Sequence, residues 1–376
     1  MRIAVDVSIQ ESAYVTGVER VQRSLLSALA EIDDDNEYLL ISKKDLDLDL
    51  DLPDRFRSFA AVKEGPSYLW RERVVPQLLA REKIDVFHSP VSATPVLGKS
   101  KKIATVHELP WVERDAQVTH GEVVKRGHRV WLFLNVRYAS RIVAVSKRTR
   151  DNILALYPDA EEKVDVILNG VDGSFRPLED PPERGAFLAR YGMPDRPFLL
   201  FVGTLRRKKN LRALLNVFAS IGEPWRSSHA LILAGVRTAA WPEFEEALNA
   251  EGLQDRVFLP GYVSDEALVT FYNHADALVY PSLFEGFGLP PLEAMACGTP
   301  VVTSQGGAIP VVVGKAALTV PAGDPDALRD AIERVLGDDE LRASLTKKGK
   351  RHVKKYTWKK TAEKYLELYR ELTEDA

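Results

Sequence analysis

The chain has 376 residues, 45% hydrophobic and 28% charged, the composition of an ordinary globular protein with material for two domains. Lys and Arg total 51 against 54 Asp and Glu, a formal balance of −3, which argues against a uniformly basic nucleic-acid-binding protein. A single cysteine, Cys297, excludes an intramolecular disulfide and a Cys-rich zinc site. Asp6 arrives too early for a signal-peptide apolar region, and no run approaches the roughly 18 apolar residues of a spanning helix. The expectation is a cytoplasmic protein.

Short β-branched runs alternate with longer helical patterns, the mark of a parallel α/β architecture. In the first half, strands are expected at Ile3–Val7, Tyr38–Ser42, Val86–Phe87, Ile103–Val106, Ile142–Val145 and Val164–Leu168. Asp45–Leu52 alternates Asp with Leu, compatible with a half-exposed strand or an irregular loop. Gly170–Gly185 carries Pro177, Pro181 and Pro182 without periodicity and reads as a linker. The alternation restarts at Phe198–Val202, Ala230–Ala234, Val257–Leu259, Ala277–Tyr280, Pro300–Thr303 and Ala317–Val320. Two doubly wound units are therefore expected, residues 1–170 and 171–355. A tail, 356–376, places Trp358, Ala362, Tyr365, Leu366 and Tyr369 on one helical stripe that could dock on either unit.

Ligands of open α/β sheets bind beyond the carboxyl ends of the strands, and that rule picks out polar residues. Gly17 precedes a helix over Val18–Ala30, whose N-terminus favours an anion. His88 and His107 end two strands; a lone histidine is more often structural, and His107 is the better positioned for a cleft. Ser146 and Asn169 are weaker strand-end candidates. Gly203-Thr204-Leu205 leads into Arg206-Arg207-Lys208-Lys209-Asn210 ahead of another helix. Cations are out of place at a helix start, so a junction that holds a polyanion is expected.

The richest stretch is Pro281-Ser282-Leu283-Phe284-Glu285-Gly286-Phe287-Gly288-Leu289-Pro290-Pro291-Leu292-Glu293. Two glycines permit close backbone approach, a proline fits the first helical turn, and Gly298 is expected to end the helix. Backbone N–H groups of Gly288 and Leu289 should then meet a ligand oxygen, with Glu285 and Glu293 bordering the same site. Pro291 stands where a nicotinamide-binding fingerprint needs its third glycine, so that motif is absent.

These residues resemble the retaining glycosyltransferases of GT-B fold, family GT4. The resemblance rests on Glu285-x7-Glu293, Thr16-Gly17-Val18-Glu19-Arg20, Thr105-Val106-His107-Glu108, Asn169-Gly170-Val171-Asp172, Gly203-Thr204-Leu205 with Lys208-Lys209-Asn210, and Leu259-Pro260-Gly261-Tyr262-Val263, all in the family's order. It implies two Rossmann-like domains facing across a cleft, and transfer of a sugar from a nucleotide-diphosphate donor to a glycan or lipid-linked acceptor. By the resemblance, Glu293 binds ribose hydroxyls, Glu285 the donor sugar, and Lys209, helped by Gly17, the diphosphate. His107 hydrogen-bonds the sugar near the reacting carbon, and Gly261-Tyr262-Val263 sits at the base. Gly286, Phe287, Gly288 and Leu289 complete the donor contacts. Many members carry arginine where this chain has Thr204, leaving Lys208, Arg207 or Arg206 to supply the second cation; many carry glutamate where it has Val311. The Gly17 and Gly203 motif variants resemble mannosyl- and related transferases of surface-polysaccharide assembly, which points to GDP-mannose.

Cations and N–H groups stabilise the charge that grows on a leaving diphosphate without a metal or other cofactor. Asp-x-Asp patterns, the metal motif of other glycosyltransferases, occur at Asp45–Asp51 and Asp324–Asp326, in an acidic run and at a helix start, and no metal role is expected of them. Residues 99–150 hold 12 Lys or Arg against 4 Asp or Glu, with Trp131, Phe133 and Leu134 among them. Such a helix can lie on an anionic membrane, here the inner face, or simply pack its apolar side as core. The competing functional readings are a GT-B epimerase or hydrolase of nucleotide sugars and a non-catalytic nucleotide- or glycan-binding subunit.

Overall fold

The computed structural model describes residues 1–11, 17–60, 67–90, 93–109, 111–112 and 122–374. The chain forms two compact units, one of Met1–Leu109, His120–Gly170 and Tyr356–Ala376, the other of Pro110–Thr119 and Val171–Lys355.

The first unit is a parallel sheet of seven strands: β1 (Arg2–Asp6), β2 (Glu37–Ser42), β3 (Phe56–Ala60), β4 (Val86–Ser89), β5 (Lys101–Val106), β6 (Arg141–Ala144) and β7 (Val164–Val166). Their order is β3-β2-β1-β4-β5-β6-β7. The inner strands are continuous apolar runs because helices cover both faces of a parallel sheet. β3 has no such run: it is an edge strand whose Arg57 and Ser58 are exposed, which is why hydropathy alone misses it. Asp45–Leu52 is not a strand. Leu48 turns inward, the aspartates stay outside, and Asp49 adopts a left-handed φ of 49° that breaks any pleat.

The helix Gly17–Ile32 buries Val21, Leu25, Leu26 and Leu29 as its periodicity requires. The last helix, Trp358–Glu374, belongs to this same unit and packs against it. Its apolar stripe of Trp358, Ala362, Tyr365, Leu366 and Tyr369 is buried. Each such large side chain contributes about 1.5–3 kcal/mol on transfer from water. Polar links add register: Thr361 Oγ1 donates to the Leu168 carbonyl at 2.7 Å, and His88 lies between Tyr369 (2.8 Å) and Thr105 (2.9 Å). Burial, with a small contribution from His107, pushes the His88 pKa down to about 3, so the ring is neutral and its role is the structural one.

The second unit is a parallel sheet of β8 (Phe198–Val202), β9 (Ala230–Ala234), β10 (Val257–Gly261), β11 (Ala277–Tyr280), β12 (Val301–Ser304) and β13 (Leu318–Val320). The order β10-β9-β8-β11-β12-β13 reverses direction at β8, and a crevice opens beside β8 and β11 at their carboxyl ends. The 170–185 segment is irregular but not loose. Phe175 packs edge-on to Tyr272, and Leu178 N–H donates to Asn273 Oδ1 at 2.9 Å, so the segment is strapped along the helix Asp265–His274.

Candidate active site

The second unit's site begins at the end of β8. The chain bends through Gly203-Thr204-Leu205, makes one tight turn over Arg207–Lys209, and enters the helix Leu211–Ser220 through Asn210, whose φ is 57°. This turn splits the four cations, among which the sequence leaves open which one joins Lys209. Arg206 is exposed, and Arg207 turns away to a two-pronged pair with Glu243 in which its Nε lies 2.9 Å from Oε2. Lys208 and Lys209 are buried, and the Lys208 carbonyl accepts the Leu283 N–H at 2.8 Å, tying this turn to the loop after β11.

On that loop Glu285 is 7% exposed and meets both lysines. Lys209 Nζ donates to Glu285 Oε1 at 2.6 Å and to the Tyr280 hydroxyl at 2.5 Å, and Lys208 Nζ lies 3.8 Å from Glu285 Oε2. Burial by itself would raise the Glu285 carboxyl, but the two lysines outweigh it and hold the pKa well below the ordinary carboxylate value. The result is a buried cluster in which two lysines meet one carboxylate.

The backbone of Glu285 is fixed from β12. Its carbonyl accepts the Ala308 N–H at 2.8 Å, and a Cβ on Gly307, at φ 63°, would stand 2.3 Å from that same oxygen. Only glycine fits there. Gly306 and Gly307 were not among the expected site residues, although a Gly-Gly pair one residue after a strand is a signal of close backbone approach.

Gly288, at φ 105°, then turns the chain into the helix Leu289–Cys297, with prolines in its first turn and Gly298 closing it in the left-handed region. No side chain caps its N-terminus, which leaves the backbone there to a ligand. Gly286, Phe287 and Gly288 are buried and Leu289 half-buried. Glu293 is buried and accepts the Tyr272 hydroxyl at 3.0 Å. Burial, reinforced by the Glu293 carboxylate, raises the neighbouring Cys297 thiol to about 12, so it stays protonated. Thr204 is half-buried, and beyond β10 Tyr262 is exposed and Val263 half-buried.

Gly17 and His107 lie in the first unit. Gly17 is exposed at the first position of its helix after β1; Thr16 lies outside the described residues. His107 follows β5, with β4 between that strand and β1. Its Nε2 is 2.7 Å from the Pro90 carbonyl, which can only accept, so Nε2 carries the proton. Burial lowers the His107 pKa against the opposing effects of that carbonyl and Glu108, so the neutral ring presents Nδ1 as an acceptor. The second acidic pattern has a local explanation: Asp324 Oδ1 caps the Ala327 N–H at 2.9 Å, and Asp326 pairs with Arg329.

Residues 188–352 match the family Glycosyl transferases group 1, and residues 15–175 match Glycosyltransferase Family 4. A D-inositol 3-phosphate glycosyltransferase of Acidothermus cellulolyticus is 33% identical over 307 residues, covering 76% of this chain and 67% of that protein. The chain belongs to this family. Another member, the O-antigen chain mannosyltransferase B of Escherichia coli, is 32% identical over 232 residues, 62% of this chain and 61% of its own length. The group 1 fold extends to solved structures. Sucrose-phosphate synthase from Thermosynechococcus elongatus superposes with a TM-score of 0.79 at 23% identity over the whole of both chains. Anabaena HepE, solved with UDP and glucose, gives 0.78 at 16% identity, covering 99% of this chain and 100% of that one. These likenesses establish GT-B as the fold of this chain.

Proposed function

We propose that this protein is a retaining, metal-independent hexosyltransferase that moves a sugar from a nucleotide-diphosphate donor to a glycan or lipid-linked acceptor. The observation that carries the reading is the buried Lys208–Glu285–Lys209 group at the strand ends of the second unit. Two buried ammonium groups beside one carboxylate form a fixed, desolvated site suited to the charge of a diphosphate. As the bond from the sugar to the diphosphate breaks, negative charge grows on the leaving oxygen, where fixed lysines stabilise it. Lys209 and Lys208 bind the diphosphate, and Glu285 accepts from the donor sugar's hydroxyls. Glu293 takes the ribose hydroxyls, the backbone of Gly288 and Leu289 supplies N–H groups, and Gly286 and Phe287 complete the donor contacts. In the same reading Thr204 lines the diphosphate region, where it contributes no cation. Tyr262 and Val263 meet the base, Gly17 assists at the diphosphate, and His107 accepts a sugar hydroxyl through Nδ1.

GDP-mannose is the favoured donor, supported by the E. coli relative's name as a mannosyltransferase; the structure of HepE with UDP and glucose makes UDP-glucose the comparison. Nucleotide release from each donor, with and without oligosaccharide or lipid-linked acceptors, tests the reading. Acceptor-dependent release supports transfer, equal release without acceptor indicates a hydrolase, and no release from any donor defeats the enzyme reading. EDTA should leave the rate unchanged; loss restored by manganese would return the acidic patterns to consideration.

The proposal includes contact with an anionic inner membrane surface through residues 99–150, and with it a cytoplasmic location. On the helix Glu122–Tyr138, Arg126, Arg129, Val130, Phe133 and Arg137 are exposed, while Leu132 and Asn135 are buried. Among the described residues no helix is long and apolar enough to cross a membrane. Flotation with phosphatidylglycerol vesicles but not with phosphatidylcholine vesicles is the expected result.

A further inference from the structure

We propose that Tyr280 is a positioning residue for Lys209: its hydroxyl and Glu285 together fix two of the ammonium's three N–H directions, so that the third is presented to the donor's diphosphate. The inference rests on the reading of Lys209 as the diphosphate's cation and adds a residue that neither the sequence motifs nor the family resemblance singles out.

An ammonium on a four-carbon stem has three donors and no preferred orientation of its own. Here Nζ lies 2.5 Å from the Tyr280 hydroxyl and 2.6 Å from Glu285 Oε1. Two fixed acceptors around a tetrahedral nitrogen leave one N–H direction determined. The fixing is only as good as the acceptors, and both are held. Tyr280 closes β11, an inner strand between β8 and β12, and is 1% exposed. Its ring stacks on Phe201 at 5.9 Å and 17°, and its carbonyl accepts from Thr303 Oγ1 at 2.7 Å.

The Lys209 ammonium lies 4.7 Å from the centre of the Tyr280 ring, at its hydroxyl end, so the hydroxyl is the part of the side chain that holds the charge. Burial and the nearby Glu285 carboxylate keep the phenol far from ionisation, so its oxygen is a neutral acceptor and never a competing anion for the lysine. A phenylalanine would fill the strand end equally well. The hydroxyl is the part that packing does not require, and it meets Lys209, with Glu285 and Ser282 beside it.

Tyr280→Phe removes that acceptor, together with the hydroxyl's contacts to Glu285 and Ser282, and leaves the ring in place. Charge on the leaving diphosphate is greater in the transition state than in the bound donor, so loss of orientation should lower kcat about tenfold with KM for the nucleotide sugar within about twofold. A purely structural effect would multiply with others. An effect exerted through the lysine should vanish in a Lys209→Ala background. A second readout needs no turnover: in protein labelled with 15N-lysine, the ammonium resonance assigned to Lys209 by its loss in Lys209→Ala should broaden in Tyr280→Phe through faster proton exchange. An unchanged ammonium signal overturns the proposal whatever the kinetics, and so does an equal fall in kcat with and without Lys209. If the wild-type protein acts on no donor, the glycosyltransferase reading fails, and the ammonium signal still decides the role of Tyr280.

Discussion

The two units bury polar groups in opposite ways. At the strand ends of the first, His88, Thr105, Tyr365 and Tyr369 form a neutral chain of hydrogen bonds that stitches the last helix to the sheet. At the strand ends of the second, Lys208, Lys209 and Glu285 are buried as charges. A neutral network completes itself and stabilises a fold. A buried charged cluster is stable only while each member has a partner, and fixed, desolvated lysines suit an anionic ligand. His88 in the first unit and the lysines in the second are thus all buried, yet His88 is neutral and held within the fold.

The contrast breaks most sharply at Lys209. Lys209→Ala should lower turnover by about a hundredfold or more, the scale of one lost charge-stabilising contact in a buried site. A folded variant with near-normal turnover in the nucleotide-release assay would remove the cation from the mechanism. Next in size, Glu293→Ala should weaken nucleotide binding by about tenfold through lost hydrogen bonds to a charged acceptor. Calorimetric titration with GDP and UDP checks it, and unchanged affinity for both would sever Glu293 from the nucleotide.

A third test addresses the neutral network. The folded His88 pKa of about 3 lies below the 6.5 of a free histidine. Between those values the unfolded chain binds a proton that the folded chain does not, so His88 costs stability as pH falls through that window. Its share of the slope is at most about 1.4 kcal/mol per pH unit. Urea midpoints from pH 7 to 4 should fall less steeply for His88→Gln than for wild type, from a lower starting value; parallel curves would mean the ring is charged or solvated in the native state. The smallest effect is expected at the outer cations: Arg206→Ala and Arg207→Ala should each change turnover by less than about threefold, since exposed charges are screened by solvent. A loss as large as that of Lys209→Ala would put them back at the diphosphate.

Among the described residues, twelve of the thirteen strands are legible in the sequence because a buried parallel strand must be apolar on both faces. The exception, β3, is an edge strand with an exposed side, and nothing in Phe56–Ala60 separates it locally from a polar loop. Both termini of the helix Leu289–Cys297 are equally readable, since prolines at the start and a left-handed glycine at the end are local requirements. What the sequence could not decide is which way neighbouring side chains point. Arg207 and Lys208 are adjacent and alike in charge; one tight turn sends the first to Glu243 on the surface and the second toward Glu285. Gly307 and Glu285 are far apart along the chain, and only the pairing of β11 with β12 brings the glycine under the glutamate's carbonyl. Composition and periodicity determine where strands and helices lie, because those depend on each residue's own preference for water or core. The charged cluster exists only in the folded chain, because its stability depends on distances between residues that the sequence keeps apart.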